Sequence, residues 1–311
     1  MERRLLVLFA ETPIHAGGSE STGVVDLPIQ REAATGLPVV WGQSLKGASR
    51  DAARDAKWYR LGDEKRVFGS RPPGAQGDDG AADDGNGESK LVKGEVSFGD
   101  AQLMLFPAPT LINTYGWATS PQLVSRLTRK VALVSADTAI PTPPANPGGQ
   151  AFVTGDWAGG QQVIGPNVLP VEVRQSVEQW AAVLARLSCP EGGEFDYTRE
   201  KLSRDVLYVA DGVLSELTNT GTDVVPRVQL DIEKKTAKNL FYSEHLPAES
   251  VLTALLTGPA QALDSLTALL DGKPLQLGGD ETIGKGLFWC RVHDATSLRT
   301  VFAAKASKET S

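Results

Sequence analysis

The sequence predicts an α+β fold of the ferredoxin-like kind, with long insertions, and three observations carry that expectation. Arg4 to Ala10 is, after its leading arginine, an apolar run of the sort found in buried central strands. Ser44 to Arg60 and Ala260 to Leu270 space their apolar residues by threes and fours, as amphipathic helices do. With insertions set aside, the elements follow one another as strand, helix, strand or strands, strand, helix, strand. That order places two helices on one face of an antiparallel sheet. The chain has 311 residues with 41% hydrophobic content, enough for the core of one elaborated domain.

Taken in order, the first strand ends before a loop that holds Gly17, Gly18 and Gly23. After it, Leu37 to Trp41 reads as a short strand. The first helix then opens with Ser44 as its expected N-cap. Its Leu45, Ala48, Ala52, Ala56 and Tyr59 form an apolar stripe, and Arg50, Arg54 and Lys57 a basic one. Glu95 to Phe98 and Gln102 to Phe106 are expected as a strand pair or one bent strand. Residues 108–247 are too many for a connection and must hold elements of their own. Within them Pro121 to Arg129 and Val173 to Leu187 read as helices, and Pro141 to Gly149 as a loop. Residues 190–247 contain alternating stretches such as Val224 to Ile232, the pattern of a projecting hairpin. Ser250 to Leu256 reads as a strand, and Pro274 to Leu277 with Leu287 to Val292 completes the sheet. The expected division is a core of 1–107 with 248–296, an acidic insertion at 74–90, an inserted helical and hairpin subdomain at 108–247, and a tail at 297–311.

Composition excludes several classes. No apolar run approaches the ~18 residues of a membrane span, and Met1 to Arg4 leads into no signal-peptide pattern. Cys189 and Cys290 stand alone without metal-ligand spacing, which fits a reducing cytoplasm. The net charge of −7 argues at first against nucleic acid. Five of the acids, however, sit together in the 74–90 insertion, and between Arg31 and Arg71 nine Lys or Arg face five Asp or Glu. An acidic protein with a locally basic face can still hold RNA.

Asp26 is the lone carboxylate in the apolar run after the glycine loop. RNA carries its own nucleophile, the ribose 2′-hydroxyl, so cleavage needs alignment and charge stabilisation more than elaborate chemistry. A carboxylate can accept the hydroxyl proton or hold a divalent cation against the phosphoryl oxygens. An aspartate ordinarily titrates near ~3.9 and is a weak base at neutral pH, which favours holding or positioning. His15, just past the first strand, is placed to shuttle a proton or to hydrogen-bond a phosphate. Lys46 lies near a helix N-terminus, where amides and dipole already favour an anion, and Gly47 permits close approach. Ser44, Arg50 and Arg54 lie along the same helix, and Arg31 can reach RNA or a neighbouring subunit. Near the other end, Gly278, Gly279, Gly284, Lys285 and Gly286 form a loop whose main-chain N–H groups can meet phosphates.

Five segments, in this order and spacing, resemble the RAMP superfamily of CRISPR-associated proteins. They are Glu11–Gly17, Gly23–Arg31, Ser44–Gly47, Phe98–Pro107 and the glycine loop at 277–286. Within that superfamily the chain looks most like the repeated backbone subunit of type III-B (Cmr-module) RNA-targeting complexes. The resemblance implies a ferredoxin-like fold with a hairpin thumb, expected near 205–240, that wedges into the guide–target duplex. It implies that Asp26 is the cleavage residue and holds a divalent cation, magnesium being the expected one, with His15 near the RNA. It places Tyr242, Glu244 and His245 in a region of auxiliary active-site residues, where Glu244 can share the cation or help place the attacking group. The implied partners are a guide (crRNA), complementary target RNA, head-to-tail copies of the chain and the other subunits of the complex. Two alternatives stay open: a scaffold that binds crRNA without cutting, and the equivalent subunit of a type III-A (Csm-module) complex. Trp41 and Gln43 depart from the family's Pro-Gly-Ser-Ser-Leu-Lys-Gly run and bear on the contacts at the helix entrance.

Overall fold

Strand β1 (Glu2–Ala10) runs through the middle of a large mixed sheet, antiparallel to a neighbour on each side. Its side chains alternate between two cores, as the period of a strand requires. Leu6, Leu8 and Ala10 enter one hydrophobic cluster, and Leu5, Val7 and Phe9 enter the other. Burial on both faces explains why the run is apolar at every position rather than at every second one.

The structure is a computed structural model and describes residues 1–18, 25–58, 62–70, 91–157, 159–230 and 237–303. After β1 come β2 (Val39–Val40), helix α1 (Gly42–Asp55), α2 (Asp63–Phe68), β3 (Ser97–Phe98) and β4 (Ala101–Pro109). The middle of the chain supplies β5 (Tyr115–Thr119), α3 (Pro121–Val134), β6 (Ala151–Val153), β7 (Gly160–Ile164), β8 (Asn167–Val173) and α4 (Gln175–Ser188). Then follow α5 (Asp196–Arg204), β9 (Val206–Tyr208), α6 (Asp211–Thr220), β10 (Asp223–Leu230) and β11 (Ala237–His245). The last elements are β12 (Val251–Gly258), α7 (Ala260–Leu270), β13 (Pro274–Gln276), β14 (Leu287–His293) and α8 (Ala295–Ala303).

Among the described residues the sheet has twelve strands, in the order β13-β14-β1-β12-β4-β5-β9-β6-β8-β7, with β2 on β4 and β3 on β12. One face of its β14-β1-β12 portion is covered by α7, which also meets α1, while α3 and α4 pack on β1 from the opposite side. The residues between 108 and 247 therefore extend the sheet through β5, β9, β6, β8 and β7 instead of standing apart from it. Strands β10 and β11 form a separate antiparallel pair, with Pro226 opposite Tyr242.

Helix α1 begins two residues before Ser44, which is therefore inside the helix and not its cap. Trp41 occupies the cap position without a side-chain bond. The first amide, Gly42 N–H, donates instead to Asp100 Oδ1 at 2.7 Å, so the cap comes from a residue 58 positions along the chain. The helix stops at Asp55 rather than near Arg60, because Lys57 turns into the left-handed region (φ 60°). Residues 295–303 form α8, with Leu298 and Phe302 buried, where a tail was expected. The acidic insertion at 74–90 lies outside the described residues.

Candidate functional site

The segments that carry the expected site residues converge where β1 leaves the sheet. Ile14 bridges Leu246, His15 bridges Gly279, and Leu27 bridges Ser243 in parallel. Leu27 N–H donates to Tyr242 O at 3.0 Å, and Glu244 N–H donates to Leu27 O at 2.9 Å, so the Asp26 segment docks on β11 like a short third strand. Asp26 itself is exposed, and its Oδ2 accepts the Tyr242 amide at 2.8 Å. Tyr242 turns both its N–H and its C=O away from β10. Its opposite number Pro226 then also faces outward, where a missing N–H costs no ladder bond.

His15 is held on both sides. Its Nδ1 lies 2.7 Å from Glu244 O, and because a carbonyl only accepts, Nδ1 carries the proton. In the neutral ring that leaves Nε2 as the acceptor. Gly17 and Gly279 flank the imidazole: a Cβ at Gly17 would stand 3.2 Å from Nε2, and one at Gly279 would stand 3.3 Å from Cδ2. The His245 ring lies 5.4 Å away, tilted by 55°.

Glu244 is buried and fully engaged. Its Oε1 accepts from Arg31 at 2.6 Å and from the Thr222 hydroxyl at 2.8 Å, and its Oε2 accepts the Ile29 amide at 3.1 Å. Burial pushes this carboxyl up, but the Arg31 contact and the two hydrogen bonds outweigh it and hold the group below the usual carboxylate range. Arg31 also donates to Gly36 O, Thr218 O and Asn219 Oδ1. The pair is an internal clamp that ties the Asp26 segment to α6 and β11. Neither an RNA contact by Arg31 nor a cation shared by Glu244 matches that engagement.

On α1, Lys46 is half-buried, and burial, then the nearby Arg50 charge, lowers its pKa. Lys46 is the fifth residue of the helix, one turn further in than the sequence suggests. Gly47 is exposed, and a Cβ there would meet nothing within 4 Å. Ser44 faces Gln30, whose Nε2 lies 3.5 Å from its hydroxyl. The arginines of the basic stripe are engaged in ion pairs within the chain. Arg50 donates to Gly69 O and pairs with Glu64, and Arg54 pairs with Asp51 and Glu64.

The glycine loop also differs from its expected use. Gly279 N–H donates to His15 O, Gly284 N–H to Glu281 O, Lys285 N–H to Asp280 O and Gly286 N–H to Pro13 O. Four amides expected to meet phosphates are therefore engaged within the chain. The glycines serve close packing: at Gly278 (φ 100°) a Cβ would lie 2.6 Å from His15 O, and at Gly286 (φ 87°) 2.5 Å from Leu277 O.

Several residues of this region escape sequence reasoning. Gln30 is buried and accepts the Trp41 amide while its Nε2 donates to Gly17 O at 3.1 Å, linking both loops to the helix entrance. Asp280 accepts from Arg227 on β10 at 2.5 Å and meets His245 Nε2 at 3.2 Å. Asp280 stands beside Glu281 in the glycine loop, and its partners lie 35 and 53 residues away, beyond the reach of any local pattern. Among the described residues no group of three or more His, Cys, Asp or Glu converges as a metal centre would.

The family model of the RAMP superfamily matches residues 8–289. The chain is 29% identical to the CRISPR system Cmr endoribonuclease Cmr4 of Pyrococcus furiosus, over 96% of this chain and 98% of that protein. Oligomeric Cmr4 from the same organism shares the fold with a TM-score of 0.71 at 22% identity, over 95% of this chain and 99% of that one. A chain of the type III-B Cmr-beta complex bound to cognate target RNA does so with a TM-score of 0.68 at 18% identity, over 97% and 99%.

Proposed function

This chain belongs to the RAMP superfamily, and we propose that it is the repeated backbone subunit of a type III-B CRISPR effector. It binds crRNA, stacks head-to-tail with copies of itself and with other subunits, and cuts complementary target RNA at regular intervals. The chain-long similarity to a Cmr endoribonuclease supports the assignment. The observation that carries the cutting role is the seat of Asp26, an exposed carboxylate fixed by a main-chain bond at the base of the β10–β11 ribbon.

We read β14-β1-β12-β4 with α1 and α7 as the ferredoxin-like core, and the β10–β11 ribbon as the thumb. The ribbon exposes Val224, Val225, Val228 and Leu240, apolar side chains suited to wedging against bases. Guide backbone binds along the start of α1. Gly47 supports this: it lies inside a helix, where glycine costs stability, yet no internal contact demands it. Lys46 beside it brings a cation to the same surface.

In the cutting step the 2′-oxygen attacks the adjacent phosphorus. The P–O2′ bond forms, the P–O5′ bond breaks, the 2′-hydroxyl proton leaves and the 5′-oxygen gains one. His15 Nε2 is the group of this chain placed to move one of those protons, and Asp26 orients the attacking ribose. A divalent cation, magnesium the expected one, would be held by Asp26 with its other donors drawn from RNA phosphates, and would supply neutralisation of phosphoryl charge. Glu244 and Arg31 act as organisers of the Asp26 segment.

The test is target-RNA cleavage by the reconstituted complex, wild type against Asp26→Ala, with and without chelator. Binding retained with every regular cut lost is the expected result. Undiminished cutting by Asp26→Ala leaves only the scaffold role.

A further inference from the structure

The two groups that grip His15 are neighbours, in sequence, of two residues that grip each other. His15 Nδ1–H donates to the carbonyl of Glu244, and His15 O accepts the amide of Gly279. One position further along each strand of that grip stand His245 and Asp280, joined by a bond of 3.2 Å from Nε2 to Oδ2. The result is a closed ring: His15, residue 244, residue 245, residue 280, residue 279, and back to His15. We propose that Asp280 and His245 are positioning residues for His15, and that their bond sets the orientation and tautomer of its imidazole for the cleavage step. The inference rests on the nuclease reading above.

Three further features fit this role. His245 is 2% exposed, and its Nδ1 has no hydrogen-bond partner among the described residues, so among them Asp280 is the group that holds its ring by hydrogen bonding. A carboxylate only accepts, so His245 carries its proton on Nε2 and presents no charge to His15 in its neutral form. Asp280 sits in a left-handed backbone (φ 65°), a state that Asp, Asn and Gly adopt more readily than other residues, and from it bonds both His245 and Arg227. Since Arg227 lies on β10 and His245 on β11, Asp280 also pins the glycine loop to both strands of the ribbon.

The experiment uses Asp280→Gly in the assembled complex, because glycine accepts the left-handed backbone and removes only the carboxylate. Cleavage should slow about ten- to a hundredfold, the usual cost of losing a group that orients a catalytic side chain, while target-RNA affinity is unchanged. Asp280→Asn, which keeps an acceptor and tolerates the same backbone, should recover most of the rate. In a His15→Ala background Asp280→Gly should cost nothing more; an additive loss, or a wild-type rate in the single variant, overturns the proposal. Asp26→Ala is run alongside. If it cuts normally the nuclease reading fails, whereas a dead Asp26→Ala beside a fully active Asp280→Gly sinks the positioning role alone. Should Asp280→Gly fail to assemble, nitrogen NMR of the wild-type chain decides: His15 must show its proton on Nδ1, and a proton on Nε2 refutes the ring.

Discussion

Asp26 takes its orientation from the peptide N–H of Tyr242, at 2.8 Å, and from no side chain among the described residues. Because the donor is backbone, the carboxylate is placed by the docking of its segment on β11 and moves with the ribbon. Charge and placement are thus separable at this position. Asp26→Asn should keep the bond and lose the charge, whereas Asp26→Ala loses both. Both variants should fail to cut target RNA. Hydrogen exchange should show the Tyr242 amide still protected in Asp26→Asn and faster in Asp26→Ala; equal protection in the two would contradict this seat.

Gly47 offers a trade between stability and binding. In a helix interior with open space around it, alanine should stabilise the fold by about 1 kcal/mol. If RNA backbone approaches this surface, the added methyl should weaken crRNA binding. Thermal unfolding of the chain and filter binding of crRNA give the two readouts. A Gly47→Ala protein that gains stability and binds as well as wild type removes the close-approach argument.

Glu244 makes the fold sensitive to acid. Its carboxyl titrates lower folded than unfolded, so the unfolded chain binds the extra proton between those two values. The stability it contributes is complete above about pH 4.3, the unfolded value, and is lost as pH falls toward the folded one. Glu244→Gln should flatten that acid limb. At neutral pH it should cost about 1–3 kcal/mol, because Arg31 loses its charged partner. Denaturant midpoints between pH 3 and pH 7, roughly the range over which carboxylates titrate, provide the measurement.

Lys130 acts at the other end of the scale. It is buried between α3 and β12, where its Nζ donates to Thr253 O at 2.6 Å and to the Thr253 hydroxyl at 3.0 Å. Burial pulls its pKa down to about 7, with Arg126 adding to the fall and Glu32 and Asp100 opposing it. Between that value and the ordinary lysine range the unfolded chain carries a proton that the folded chain does not. Stability from this group therefore rises with pH above about 7. Lys130→Met should abolish the rise and raise the melting temperature at or below neutral pH. A melting temperature that climbs with pH as steeply in the variant as in the wild type would exclude Lys130 as its source.

Patterns within a few residues of one another were legible in the chain itself. The apolar run of β1 and the helix at Ala260–Leu270 follow from local pattern, and each is present. Of the stripe expected on α1, Leu45 is buried and Ala48 and Ala52 pack on the core, whereas Ala56 is exposed past the helix end and Tyr59 lies outside the described residues. The segments expected to bear the site also meet, since Asp26, His15 and residue 244 are stitched together at the end of β1. What each charged side chain does there depended on partners far along the chain. Arg31 clamps Glu244 across 213 positions, Asp100 caps α1 across 58, and Asp280 reaches His245 across 35. A hydrogen bond or ion pair is decided by angstroms in space, and no spacing rule in one sequence encodes which distant acid will arrive beside which base. The sequence alone settled which residues could do chemistry; the fold decided which of them are free to do it.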